Sequence, residues 1–495
     1  MHYWKHHANW TIILVALTIF AGQGQADDEA DVKLHKLRAG KDLTFTVDIA
    51  KRAGLATRET SGHSCHKVSG WTGVPYGKNG KYTLHPKLER AVTDLRLPMT
   101  RFYALGDETF DLNGAIDRAA EFCKRTGIPQ ETTVLEFENQ GARTKLSPKV
   151  WADGVKHSKA RGYKFRYWEI TNEPWTKNKP PEYLAHFMKV SSAIRKADPD
   201  SQIGISIWRS VPYWGNAMLL EKAAGHYDFV SPHYYDFTNA YKSSFEDVVL
   251  TGNFMVLDQI RRNTALIRKH NPKRNVYQYD TEWGLHGKGP GGKSPGEAYR
   301  NMNIYGVVYR GVRMIYYVRD GMLRGASGWE MFIPLDKPFG LLSHQAPEKR
   351  SMLYWLYYYF NRHVGQWVLT MDGTAPYHQG DVGEPYKKKH AKKFRGPLTP
   401  AVLTTDKDGT TLYLIVANGS WDRTTPLRMT TKNFTPAQAV GVLLSHNDRD
   451  AHPFLKNKKD FVSNLPVKLT GKTVTTAIPP HSVVFIKITG QPASR

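Results

Sequence analysis

Residues 165–175 read FRYWEITNEPW. Phe165 to Ile170 are aromatic and β-branched enough to suit a buried strand, and the run ends in Asn172-Glu173-Pro174. A carboxylate costs free energy to bury unless something pairs with it or uses it. Either Glu173 serves the turn that follows, or it stands at the strand end for chemistry. The other strands decide which.

Outward from this stretch a rhythm runs in both directions. From about residue 63 short β-rich runs alternate with loops and helical patterns: SCHKVSGW (64–71), MTRFYALGD (99–107), TTVLEFEN (132–139), FRYWEITNE, QIGISIW (202–208), FVSPHYYDF (229–237), NVYQYDTEWG (275–284) and ASGWEMFIP (326–334). Between them lie helical patterns such as SPKVWADGVKHSKARG (147–162), PEYLAHFMKVSSAIRKADP (181–199) and FMVLDQIRRNTALIRKHNP (254–272). The last two stop at Asp-Pro and Asn-Pro, and the first opens with serine and proline at the cap. Alternation of this kind means parallel pairing, and eight strands close a (β/α)8 TIM barrel. An open doubly wound sheet is disfavoured, because no Gly-rich nucleotide fingerprint follows the first strand.

Beyond SMLYWLYYYFNRHVG (351–365) the texture changes to short alternating runs: PAVLTTD, TTLYLIVANGS, QAVGVLLS, KTVTTAIPP and SVVFIKIT. They predict a smaller C-terminal antiparallel β-sandwich. The expected division is a signal peptide over 1–26, an N-terminal segment over 27–62 whose strand at 42–50 joins the sandwich, a catalytic barrel over 63–363 and the sandwich over 364–495. Lys5, the apolar TIILVALTIF and the small residues Gly24 and Ala26 make the first segment a cleaved secretory signal, too short in its apolar part to span a bilayer stably. A secreted or periplasmic protein with no membrane span is expected.

Cys65 and Cys123 are the only cysteines, and they leave open one bridge or two buried thiols. No His/Cys spacing suggests zinc, so neither metal nor cofactor is expected. Lys and Arg number 69 against 45 Asp and Glu, a formal charge of +24. A secreted chain this basic should meet an anionic partner: acidic polysaccharide, a charged cell surface or nucleic acid.

A barrel's active site sits at the C-terminal ends of its strands. There the fourth strand delivers Asn172 and Glu173, and the seventh Glu282. Arg101 comes from the second, His233 and Tyr235 from the sixth, and Trp329 from the eighth. Two carboxylates facing each other across a barrel mouth suit glycoside hydrolysis, one as acid and one ionised under the anomeric carbon. Tryptophan suits the apolar face of a sugar, and Trp175, Trp283, Asn139 and Glu330 are further mouth candidates. Glu169, two residues before Thr171, should be a buried partner of Arg101. Strand alternation points Asn172 away from Glu173 unless the strand bulges or ends there.

Asn-Glu-Pro closing one strand, with Thr-Glu-Trp on a later one, resembles the clan A retaining glycoside hydrolases. The strand order, early strand and trailing β-domain look most like glycoside hydrolase family 39, which includes β-xylosidases and α-L-iduronidases. The resemblance implies Glu173 as acid/base, Glu282 as nucleophile and Asn172 as donor to the sugar 2-hydroxyl, with Arg101, His233 and Tyr235 beside the nucleophile. It implies a carbohydrate substrate and no nucleic-acid partner; the oligomeric state stays open. Basic neighbours should lower the pKa of Glu282. Lys177, Lys179, Arg209, His286, Lys288, Lys293, Arg324 and Lys337 flank the strands and suggest an anionic, sulfated or uronic glycan. The rival reading is a non-catalytic polyanion- or carbohydrate-binding protein on a glycosidase-like barrel.

Overall fold

In the computed structural model, residues 36–65, 84–107, 112–138, 146–209, 213–235, 243–285, 299–335, 337, 339–381 and 393–493 are described. The signal-like segment, Asn139, His286, Lys288 and Lys293 lie outside them.

Two strands precede the barrel, β1 (Leu37–Ala39) and β2 (Leu43–Leu55). Eight more close on themselves in sequence order: β3 (Gly62–Cys65), β4 (Thr100–Phe102), β5 (Val134–Glu136), β6 (Tyr167–Ile170), β7 (Gln202–Ile207), β8 (Phe229–Pro232), β9 (Tyr277–Trp283) and β10 (Gly325–Gly328). Every pairing in the ring is parallel. The barrel is a packed core. Met99, Val134, Phe229 and Tyr279 fill its floor, with Tyr167 and Tyr277 beside them. Outside the wall, helices such as Pro148–Ala160, Pro180–Ala197, Gly252–His270, Ile304–Asp320 and Met352–Phe360 bury their apolar faces. The helix Pro148–Ala160 starts at Ser147, whose hydroxyl accepts from Val150 N, with proline at the first position. The two long helices end at Ala197 and His270, one residue before Asp198-Pro199 and Asn271-Pro272.

The remaining strands run from β11 (Trp367–Ala375) to β21 (Ser482–Pro492). Eleven strands form one sheet, in which β2 lies between β11 and β16 (Thr425–Lys432). Its inward residues enclose a separate core that includes Leu43, Phe45, Val47, Leu403, Leu414, Met429, Val474 and Ile486. The pairing is mostly antiparallel, but β1 with β11 and β2 with β16 pair in parallel. A hairpin, β12 (Tyr377–Asp381) with β13 (Lys393–Pro397), leaves this sheet and packs on the barrel: Gly396 lies against the Phe254 ring. Both cysteines are buried and no disulfide joins them, and burial pushes the Cys123 thiol up to about 12. Among the described residues no helix is long and apolar enough to cross a membrane.

Candidate active site

Two breaks in strand regularity build the site. Strand β6 leaves its ladder after Ile170, and Thr171 and Glu173 then take left-handed backbone angles, φ 64° and 47°. Asn172 and Glu173 therefore both turn towards the barrel axis, where strict alternation would have separated them. On β9 the pairing register with β10 slips between Ala326 and Gly328, which oppose Asp280 and Trp283. This bulge turns Thr281 and Glu282 to the interior one after the other and sends Trp283 outward.

Arg101 lies at the centre, fully buried. Its guanidinium donates to three groups: Nε to Glu169 Oε2 at 2.6 Å, Nη1 to Glu282 Oε2 at 3.1 Å and Nη2 to Asn172 Oδ1 at 2.8 Å. Glu169 is the expected partner, one layer down, and its other oxygen accepts from Ser231 Oγ at 2.5 Å and Thr281 Oγ1 at 3.1 Å. Burial opposes its ionisation, yet Arg101 and His233 hold it down at about 2. Tyr235 Oη donates to Glu282 Oε1 at 2.7 Å. His233 Nδ1 lies 3.1 Å from Glu173 Oε1 and 3.8 Å from Glu282 Oε2. Burial alone would lower the His233 pKa. The charge of Glu282 and pairing with Glu169 and Glu173 override it and hold the ring at about 10, an imidazolium at neutral pH.

Glu282 departs from expectation. Burial raises its pKa, the charge of Glu173 adds to the rise, and His233, Arg101 and Tyr235 offset it only in part. The reason is enclosure: Glu282 is 7 % exposed, so desolvation outweighs its basic neighbours.

An oxygen from each of Glu173 and Glu282 and a ring nitrogen of His233 all lie within 4.8 Å of one another. Such a triad has the donor set for a metal ion. Arg101 is already paired with Glu282 at 3.1 Å, so an added cation would share that carboxylate with a buried guanidinium.

The aromatic candidates separate. Trp175 is half-buried, with its ring edge-on to His233 at 5.3 Å. Trp329 is 9 % exposed and packs with Tyr103, Ala104 and Tyr235 at the mouth. Trp283 is a correction: its side chain is fully buried outside the wall, between the guanidinium groups of Arg310 at 5.0 Å and Arg313 at 5.6 Å. The bulge that brings Glu282 inward excludes Trp283 from the mouth. Glu330 is buried as well, with neither carboxyl oxygen hydrogen-bonded. One cation proposed for the cleft is also corrected: Arg324 stands over Tyr277 at the start of β9, on the face opposite the mouth, while Arg209 is 3 % exposed.

Ser231, Thr281 and Tyr103 were not singled out from sequence. Ser231 shares its strand face with His233 and Tyr235, so alternation carried that signal. Thr281 could be placed only with knowledge of the bulge.

No family model matches the chain, and no curated protein matches it by sequence. Solved structures do. The family 51 arabinofuranosidase from Xanthomonas axonopodis pv. citri aligns with a TM-score of 0.69 at 13% identity, covering 91% of this chain and 100% of that one. The family 51 α-L-arabinofuranosidase from Bifidobacterium longum gives 0.69 at 15%, with 91% and 100% covered. A family 44 endoglucanase from Clostridium acetobutylium gives 0.58 at 10%, with 90% and 99% covered. At these identities the likeness establishes the fold alone, barrel and sheet domain together, shared with family 51 and family 44 structures, and it does not show family 39.

Proposed function

We propose that the protein is a retaining glycoside hydrolase in which Glu282 is the nucleophile and Glu173 the acid/base. One observation carries the reading: two carboxylates from β6 and β9 approach within 4.8 Å across the mouth. Retaining enzymes keep the pair about 5–5.5 Å apart, whereas inverting ones leave about 6.5–9.5 Å for a water molecule. In the first step a Glu282 oxygen bonds to the anomeric carbon as the glycosidic bond breaks, and Glu173 gives its proton to the leaving oxygen. In the second, Glu173 takes a proton from water, whose oxygen displaces Glu282 and restores it. Arg101 and Tyr235 donate to both Glu282 oxygens, which suits the carboxylate that attacks and leaves. Asn172, held by Arg101, would meet the sugar 2-hydroxyl, with Trp175 and Trp329 as apolar walls.

Proton NMR of the first-formed anomer tests the mechanism; an inverted product would sink it. Azide should restore turnover to Glu173→Ala on a substrate with a good leaving group, and Glu282→Ala should stay inactive. Because burial raises Glu282, activity should fall on acidification at a pH above the ordinary carboxylate range, as the nucleophile gains its proton. The finer substrate reading is a secreted enzyme acting on an anionic glycan, supported by the +24 charge and by exposed Lys177, Lys179 and Lys337 after β6 and β10. Assignment to family 39 rests on the Asn-Glu-Pro and Thr-Glu-Trp strand ends, the strand order and the trailing β-domain.

A further inference from the structure

The turn that carries Glu173 is costly to form. Thr171 is β-branched, and neither it nor Glu173 is a glycine, yet both occupy the left-handed region. Such conformations persist where the surroundings over-determine them. What surrounds this turn is Glu138, a fully buried carboxylate outside the catalytic pair.

Its Oε2 accepts from the Thr171 hydroxyl. Its Oε1 accepts from Leu146 N at 3.0 Å, Trp151 Nε1 at 3.1 Å and His186 Nε2 at 2.8 Å. Its backbone carbonyl accepts from Asn172 N at 3.4 Å. Trp151 belongs to the helix Pro148–Ala160 and His186 to Pro180–Ala197, so one side chain ties the turn to two helices. Four donors converge on the two oxygens. An ionised carboxylate accepts at all of these positions; a glutamine that keeps its oxygen on the three Oε1 donors turns its NH2 to the Thr171 hydroxyl and replaces that charge-assisted bond with a weaker one running the other way.

We propose that Glu138 is a positioning residue for the acid/base, acting through the Thr171 hydroxyl to aim Glu173 at the leaving oxygen. The inference rests on the retaining-glycosidase reading. Its consequence is a defect confined to proton transfer. A substrate whose leaving group needs a proton should suffer, and one whose leaving group departs without it should suffer far less.

The test uses the full chain and pairs of phenyl and 2,4-dinitrophenyl glycosides of L-arabinofuranose, D-xylose and D-glucose. Glu138→Gln and Thr171→Val are compared with the parent, with Thr171→Ser, which keeps the hydroxyl, and with Glu173→Ala as benchmark. For Glu138→Gln and Thr171→Val, kcat/KM on the phenyl glycoside should drop on the order of 10²-fold, the scale of a misplaced reacting group. On the dinitrophenyl partner the drop should be a few-fold, and Thr171→Ser should stay near the parent on both. The basic limb of the pH profile should shift in the two impaired variants. Equal losses on both leaving groups in Glu138→Gln, while Glu173→Ala discriminates between them, would overturn the positioning role. So would Thr171→Val as active as Thr171→Ser. Should Glu173→Ala itself fail to discriminate, the acid/base assignment falls and this inference falls with it.

Discussion

Glu330 is 1 % exposed, and neither carboxyl oxygen has a hydrogen-bond partner. Burial, and then the charge of Glu282, push its pKa well above the usual range. The folded protein therefore holds a proton there that the unfolded chain gives up near pH 4. A raised acid pKa costs nothing below the unfolded value and costs more as pH rises above it. Glu330→Met removes the orphaned group at nearly constant volume and should stabilise the protein by about 1–3 kcal/mol at pH 7. Thermal melts of both proteins from pH 4 to 7 check this. The gain should grow with pH, and a constant gain or a loss would show that the carboxyl has a structural partner. Arg101 is the opposite case. It is the cation shared by Glu169 and Glu282, so Arg101→Met leaves buried charges uncompensated and should cost about 3–5 kcal/mol. Activity should fall with it, as Glu282 rises further.

Among the elements, the barrel floor depends on strands that give up side-chain volume. Gly204 on β7 sits beside Phe229 on β8, and a Cβ there would come within 2.2 Å of the Phe229 ring. Gly325 on β10 makes the same room for Tyr279, with 2.6 Å to the ring. Both rings are buried and hemmed in by each other, so neither can swing aside. Gly204→Ala should destabilise by about 1–3 kcal/mol through overpacking, read as a lower denaturation midpoint with unchanged slope. Nothing in the local sequence marks these glycines, because their role depends on a neighbouring strand. The same limit governs the site. The number of strands, their order and the carboxylates at their ends follow from periodicity and from where each run stops. Which residues face inward does not follow once a strand leaves its ladder. Alternation places Ser231 on β8 with His233 and Tyr235 just beyond its end, and it fails at Thr171–Glu173 and at Thr281–Trp283. The left-handed turn admits Asn172 and the bulge excludes Trp283, and both depend on contacts with other strands and helices.

Over the whole molecule, the +24 charge raises the question of where the cations stand relative to the cleft. Arg324 lies on the far face and does not meet a glycan at the mouth, and Arg209 is 3 % exposed. The site stays acidic on balance: Glu169, Glu173 and Glu282 face Arg101 and His233, while burial pushes Glu136 and Glu330 well above the usual carboxylate range. An anionic group on the reacting sugar would therefore meet carboxylates, and cations would help only sugars further along the chain. Lys177, Lys179 and Lys337, exposed after β6 and β10, are the described residues suited to that work. Exposed charges act over about 8–10 Å at moderate salt and less as salt rises. Lys177→Ser with Lys179→Ser and Lys337→Ser should then lower kcat/KM on a sulfated or uronic oligosaccharide several-fold in dilute buffer. The deficit should shrink towards the parent value at 0.5 M NaCl. On the desulfated or neutral counterpart the triple variant and parent should agree at both salt levels, since no charge is there to be screened. Equal losses on both glycans would assign the lysines to folding or general contact. Parent protein that turns over the neutral glycan as well as the charged one would remove the anionic substrate from the reading altogether.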